Sequence, residues 1–327
     1  MIRMRDIAEK AGVSRTTVSF VLNGKYKSGL KISEPIVRRV LETADDLGYV
    51  RNEIANSVVT GKSRVIAIIS LFQDFMMPAI RGCMEEAQEY GCIVKLIPLG
   101  NDVNEAIKKA IAFRVGGIFA MSLPPEVIAQ IDPKYLTSGI PSIGLSNTGR
   151  MAFDQVRSSM LGTEYLISCG YRKILYWGCS YQIAQEREEG YLQVMRAHGL
   201  KPEVIRDKGK DDPLDIKKFE EVVHDFRPDV IQCFSDFLAL RILGECYHRR
   251  LWIPDAFSIL GFGNISASWN SAPLLSTIEE PYYETGRIMF RQIHELIETG
   301  RCGSCKPLVG KVIPRETTFP QNTAKKR

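Results

Sequence analysis

The chain has 327 residues, too many for one ordinary hydrophobic core, so two or three domains are expected. Its 45% hydrophobic and 25% charged content is that of a soluble globular protein, and no apolar run approaches the ~20 residues that span a bilayer, which argues against a helical membrane protein. The net charge of +5 is uneven: residues 1–39 hold nine Lys/Arg against three acids, so the remainder of the chain is close to neutral. A basic segment on a neutral body is the footprint of a phosphate-binding head, although the same composition also suits plain solvated surface.

The opening residues, MIRMRDIAEK, lack the apolar stretch of a signal peptide, so a cytoplasmic location is expected. Cysteines at 83, 92, 169, 179, 233, 246, 302 and 305 are then expected as buried thiols rather than a disulfide set. Ile2 to Gly24 reads as two short helices around a tight turn at Gly12. Ser14 is placed to cap the second helix by accepting from the Thr16 or Thr17 amide. At 100° per residue, Arg15, Thr16, Ser19, Phe20 and Asn23 share one side of that helix, and Thr17, Val18, Val21 and Leu22 the other. The second set can pack on Ile7, Ala8 and Ala11. The first faces outward, and Arg with hydroxyl groups at a helix N-terminus suits the DNA major groove. The pattern alone fits an ordinary amphipathic hairpin equally well.

The wording is more specific. RDIAEKAGVSRTTVSFVLNG closely resembles, over about twenty residues without a gap, the opening of the LacI/GalR family of bacterial transcription regulators, typically DVAxxAGVSxxTVSxVLN. The resemblance implies a helix-turn-helix head over residues 1–50. It implies DNA contacts from Arg5, Ser14, Arg15, Thr16, Thr17, Ser19, Phe20 and Asn23. Phe20 stands where an Arg often contacts guanine, and it cannot make that bidentate bond.

Lys25 to Lys31 is a basic loop, and Ser33 is expected to cap a third helix whose apolar stripe is Ile36, Val37, Val40, Leu41, Ala44 and Leu47. Residues 51–63 read as a linker around an eight-residue helix, Glu53 to Thr60, too short to be stable alone. RNEIANSVVTGKSR resembles the family hinge, PNxxARSLxxGxS, in which paired hinge helices enter the minor groove and a Leu wedges a base step apart. That implies DNA contacts from Asn52, Ile54, Ala55 and Val58. Val58 takes the wedge position with a shorter, stiffer side chain.

From Arg64 strands and helices alternate. Strands are expected at 65–69, 93–97, 117–121, 142–145, 173–177, 203–206, 229–233 and 257–261. Helices are expected at 79–90, 104–113, 125–131, 158–169, 185–198, 214–225 and 239–249. This predicts two doubly wound α/β lobes with a cleft between them. RVGGIF (114–119), CGYRKILYWG (169–178), REEGY (187–191), RPDVIQCFSDFLAL (227–240), IPDAFSILGFGN (253–264) and PRETT (314–318) resemble the periplasmic-binding-protein-like body of the same family.

By that resemblance the effector-binding and dimerisation body spans 64–320, with crossings between lobes near 162, 281 and 310. The N-terminal lobe is then about 64–162 and 282–309, the C-terminal lobe about 163–281 and 310–320, and 321–327 is a basic tail. The tail carries no heptad repeat, so no coiled-coil tetramer is expected.

The resemblance also places the effector between the lobes. It implies a wall from Phe72 to Met77, including Asp74 and Phe75, a polar pair at Asp154 and Gln155, and an Arg at 187 whose fork holds two acceptors. Ser235-Asp236 stands for the usual Asn-Asp, and Gly263-Asn264 ends a motif usually written GFDD. Gly263 offers no acceptor to a sugar hydroxyl, so a less hydroxylated effector, or none, is expected.

Nothing points to catalysis. G-x-S-x-G, H-E-x-x-H, Walker and dinucleotide fingerprints are absent, and the four His (198, 224, 248, 294) have no triad or metal neighbours in sequence. Cys302 and Cys305 have C-x-x-C spacing without a second pair, so reduced thiols rather than zinc are expected. No cofactor is expected. The reading is a repressor that binds a near-palindromic operator as a homodimer, with double-stranded DNA and a small-molecule effector as partners. The alternative, a solute receptor without DNA function, would need an export signal.

Overall fold

Three short helices bury one small core at the N-terminus. α1 (Met4–Ala11) ends at Gly12, whose φ of 66° is the left-handed conformation that a glycine adopts without strain. α2 (Arg15–Leu22) starts on Ser14, whose Oγ accepts from the Thr17 amide at 3.0 Å. α3 (Glu34–Asp46) completes the core, in which Ile7, Ala8, Ala11, Val18, Val21, Val37, Val40 and Ala44 pack together. Full burial of Ile7, Val18 and Val40 contributes roughly 1.5–3 kcal/mol each. Two details differ from the expected α3. Ser33 occupies the cap position without a side-chain bond, and Leu41 is 45% exposed while Thr43 is buried.

The computed structural model describes residues 2–24, 26, 32–50, 63–121, 123–145, 153–207, 214–303 and 305–320. The chain divides into two units, Met1–Arg64 and Val65–Arg327. The second unit holds two sheets. The first is wholly parallel in the order β2 (Ile93–Pro98), β1 (Val65–Ser70), β3 (Gly117–Ala120) and β4 (Ser142–Ile143). Its central strand β1 is a continuous apolar run, as strands covered on both faces are.

One face is covered by α4 (Met77–Glu89) and α12 (Tyr282–Thr299), the other by α5 (Val103–Ala112) and the short helices α6 (Pro125–Ile128) and α7 (Pro133–Leu136). Helix α12 lies outside the elements expected from sequence. Its Gly286 lets it meet α4 closely, because a Cβ there would stand 1.8 Å from the Ala79 carbonyl oxygen. The crossing is pinned by Glu86 on α4, which accepts from Arg287 Nε at 2.5 Å and from Arg291 Nε at 2.6 Å.

The second sheet runs β10 (Lys311–Ile313), β9 (Ser276–Glu279), β8 (Ser258–Gly263), β7 (Val230–Cys233), β5 (Ile174–Cys179) and β6 (Glu203–Asp207). It is parallel except for β10, which pairs antiparallel with β9. It carries α8 (Gln155–Ser168), α9 (Gln182–Ala197), α10 (Ile216–Glu221) and α11 (Asp236–His248). Trp177, Tyr171, Tyr176, Tyr191, Phe219 and Phe262 are fully buried in this lobe.

The first crossing lies earlier than the expected 162. Phe153 bridges to Leu308, the Asp154 amide donates to the Leu308 carbonyl at 2.8 Å, and α8 then lies along the second sheet. Gly162 packs against Ile278 and Leu260, and Thr163 Oγ1 donates to Gln232 Oε1 at 2.9 Å. The small face of α8, Ser158, Ser159, Gly162 and Thr163, is what lets the whole helix sit flat there. The chain returns to the first lobe at Glu280–Tyr282 and passes back at Leu308–Gly310, where the Gly310 amide donates to Ser158 Oγ at 2.8 Å.

Candidate functional site

The head presents a graded outer face. Arg5, Ser14, Arg15 and Thr16 are exposed, and Thr17, Ser19, Phe20 and Asn23 are half-buried. The grading follows from packing, since Val18 and Val21 face Ile7, Ala8 and Ala11 and turn the neighbouring positions outward. Ser14 is committed to its cap, Arg5 pairs loosely with Glu9 at 3.5 Å, and Asn23 Nδ2 donates to Ser19 Oγ at 3.1 Å. Arg15 and Thr16 thus stand at the N-terminal end of α2, where backbone N–H groups and the helix dipole favour a phosphate. Asn52, Ile54, Ala55 and Val58 lie outside the described residues.

In the body, the candidate residues gather at the crossings. Arg187 on α9 is 6% exposed and uses all three guanidinium nitrogens within the protein. Nε donates to Gln155 Oε1 at 2.7 Å, Nη1 to the Phe234 carbonyl at 2.6 Å, and Nη2 to Glu280 Oε2 at 3.0 Å. Gln155 Nε2 donates to Glu280 Oε1 at 3.1 Å, closing a triangle of three side chains. Tyr282 donates its hydroxyl to Glu280 Oε2 at 2.7 Å, and Arg187 Cζ lies over the Phe262 ring, 3.6 Å from its centroid, a cation–π contact. Burial, then the Glu280 charge, pushes the Tyr282 hydroxyl well above its ordinary pKa, so it stays a donor.

Sequence reasoning missed Glu280 and Tyr282. The visible signal was an acid and an aromatic residue on either side of the crossing at Pro281, in IEEPYY.

The other candidates divide. Phe75 reaches across the cleft, its ring 6.0 Å from Phe237 at the start of α11 and 5.8 Å from Tyr282. Phe72, with φ of 50°, is half-buried against the first-lobe core, and Asp74, itself exposed, opens a 3-10 turn whose Met76 is buried. Asp154 caps α8 by accepting from the Arg157 amide at 2.8 Å. Ser235 caps α11.

Asp236 is fully buried and accepts twice, from Thr277 Oγ1 at 2.5 Å and from the Ile265 amide at 3.0 Å, and so anchors the loop after β8. Its burial raises its pKa against the pull of those two donors. Asn264 Oδ1 accepts from Trp269 Nε1 and Arg315 Nη2, and Asn264 Nδ2 donates to Glu279 Oε1. Gly263, at φ 131°, leaves only backbone at its position.

Five cysteines are buried, Cys92 and Cys305 are half-buried, and Cys302 is exposed; no disulfide joins any of them. No described helix is long and apolar enough to cross a membrane.

This arrangement has close relatives. Residues 3–52 match the family "Bacterial regulatory proteins, lacI family", and residues 163–318 match the "Periplasmic binding protein-like domain". The HTH-type transcriptional repressor PurR of Vibrio campbellii is 26% identical over 316 residues, covering 91% of this chain and 92% of that protein. The HTH-type transcriptional repressor CytR of Escherichia coli K12 is 27% identical over 311 residues, covering 87% and 86%. The crystal structure of the Lac repressor dimer, bound to operator and the anti-inducer ONPF, superposes with a TM-score of 0.79 at 19% identity over 97% of this chain and 99% of that one. The head is thus a lacI-family helix-turn-helix domain and the body a periplasmic-binding-protein-like domain, the combination found in the repressors that match this chain over most of its length.

Proposed function

We propose that this chain is a sequence-specific transcriptional repressor of the cytoplasm, binding a near-palindromic operator as a homodimer and responding to a small molecule held between its lobes. The observation that carries the reading is the capped α2, held from behind by Val18 and Val21 and offering Arg15 and Thr16 from its first turn. A helix so held can enter the major groove without losing its own packing. Dimerisation follows because one head covers too little DNA for useful specificity, and two heads related by a two-fold axis read two half-sites. Val58 would supply a weak minor-groove wedge, so more of the specificity would rest on α2.

The body supplies the control. Arg187, Gln155 and Glu280 sit where the chain crosses between lobes, so a ligand that rearranges them alters lobe closure, and closure alters the separation of the two heads. Electrophoretic mobility shifts on inverted-repeat and random duplexes test the proposal. A salt-sensitive preference for an inverted repeat supports it, and equal binding to both refutes it.

A further inference from the structure

Cys302 and Cys305 take no part in the cleft. They lie on the strap that leaves α12 at Gly300 and runs to the return crossing at Leu308–Gly310. The strap folds back over the last turns of that helix. Thr299 Oγ1 accepts from the Arg301 amide at 3.2 Å, and Gln292 Nε2 donates to the Gly303 carbonyl at 3.5 Å and to Cys305 Sγ at 3.1 Å. Cys302 Sγ donates to the same Gly303 carbonyl at 3.8 Å. Glu295 closes the fold, since a Cβ on Gly303 would stand 2.2 Å from its Oε2. Both thiols are thus gathered about one carbonyl and one amide, at a C-x-x-C spacing that a disulfide can bridge.

The five core cysteines are shut from solvent, whereas Cys302 is exposed and Cys305 half-buried, so a small oxidant reaches this pair first. Burial, then the Glu295 and Cys305 charges, raises the Cys302 pKa above its ordinary value, so the pair rests as two thiols until an oxidant arrives. Only Lys306 and Pro307 separate Cys305 from Leu308, and the proline ring fixes φ in that short link. Leu308 helps to hold the crossing. Its carbonyl accepts from the Asp154 amide at 2.8 Å, and the nearby Gly310 amide donates to Ser158 Oγ at 2.8 Å. A constraint on the strap is therefore felt where the chain passes between the lobes.

We propose that Cys302 and Cys305 form a reversible redox site, closed by exchange with a low-molecular-weight disulfide, that restrains the return crossing between the lobes. Cys302, as its thiolate, attacks one sulfur of the external disulfide, giving a mixed disulfide and one free external thiol. Cys305 then attacks the Cys302 sulfur, the second external sulfur leaves as a thiol, and the Cys302–Cys305 bond remains. The two protein thiols give up two electrons and two protons, and the external disulfide takes them up as two thiols. Closure removes open conformations from the strap, as any cross-link does, so the crossing bonds open less often.

The full chain is equilibrated in glutathione buffers from fully reduced to fully oxidised, blocked with N-ethylmaleimide in denaturant, and read by peptide mass spectrometry. The oxidised end should yield a peptide closed between Cys302 and Cys305, with the five core cysteines blocked as thiols, and return to reducing buffer should reopen it. Hydrogen exchange at the Asp154 and Gly310 amides should be at least about threefold slower in the oxidised form. Cys302→Ser and Cys305→Ser, either of which serves if the other folds poorly, should each stop at a glutathione adduct and show no slowing. Both thiols still blocked by maleimide at the oxidised end overturns the proposal. So does a closed disulfide with unchanged or faster exchange at those amides, or the same slowing in a serine variant.

Discussion

Arg187→Met isolates the network at the crossings. The substitution keeps an unbranched apolar stem and removes the guanidinium. It deletes the donors to Gln155 Oε1, the Phe234 carbonyl and Glu280, and the contact with the Phe262 ring. The larger consequence is the charge left behind, because Glu280 is 6% exposed and retains only the Gln155 amide and the Tyr282 hydroxyl. Removing one partner of a buried pair costs about 3–5 kcal/mol, a large part of the 5–15 kcal/mol that holds a domain folded.

At about 2–4 °C per kcal/mol for a unit of this size, Tm should fall by about 6–20 °C. Urea unfolding followed by tryptophan fluorescence reads the right lobe, since Trp177, Trp252 and Trp269 all belong to it. The double variant with Glu280→Gln should recover most of the loss, because two neutral groups leave nothing uncompensated. A single-variant cost below about 1 kcal/mol, or a double variant no better than the single, would show that the pair is solvated and refute the reasoning.

Three further outcomes are expected. Gly286→Ala should destabilise the first lobe by about 1–3 kcal/mol or more, because its Cβ would enter the Ala79 carbonyl, and thermal melts would show it. For Glu86, bonds from Arg291 and then Arg287 hold the carboxyl below its ordinary value of 4.5, so its contribution is complete above that value and fades as pH falls through the lowered one. Glu86→Gln should therefore cost about 1–2 kcal/mol at neutral pH, and urea midpoints of variant and wild type should converge on acidification. Ser14→Ala removes the acceptor for the Thr17 amide and should weaken α2 by about 1 kcal/mol, seen as faster hydrogen exchange in its first turn.

Much of the fold was legible because its signals are local. The wheel of α2 separated Val18 and Val21 from Arg15 and Thr16, and apolar runs such as Val65–Ile69 marked the parallel strands. The first crossing was misplaced because α8 docks through Ser158, Ser159, Gly162 and Thr163, small residues that no hydrophobic pattern singles out. Helix α12 is amphipathic in sequence, yet its packing on α4 depends on Gly82 and Gly286, whose value shows only when the helices meet.

The cleft divides in the same way. Arg187 and Gln155 could be placed by likeness to the family. Glu280 could not, since its bond to Arg187 spans 93 positions and no local pattern pairs them. Asp236, placed at the ligand by family resemblance, has a second task that resemblance did not reveal: buried, it accepts from Thr277 and Ile265.

The account stands on α2 as a DNA-reading helix, and selection of bound duplexes from a random pool, carried out with wild type, Arg15→Ala and Phe20→Arg, tests that most directly. Wild type should enrich an inverted repeat, Arg15→Ala should change the preferred bases within each half-site, and Phe20→Arg should add a guanine preference at one position of each. No enriched repeat, or one identical in all three proteins, would contradict it.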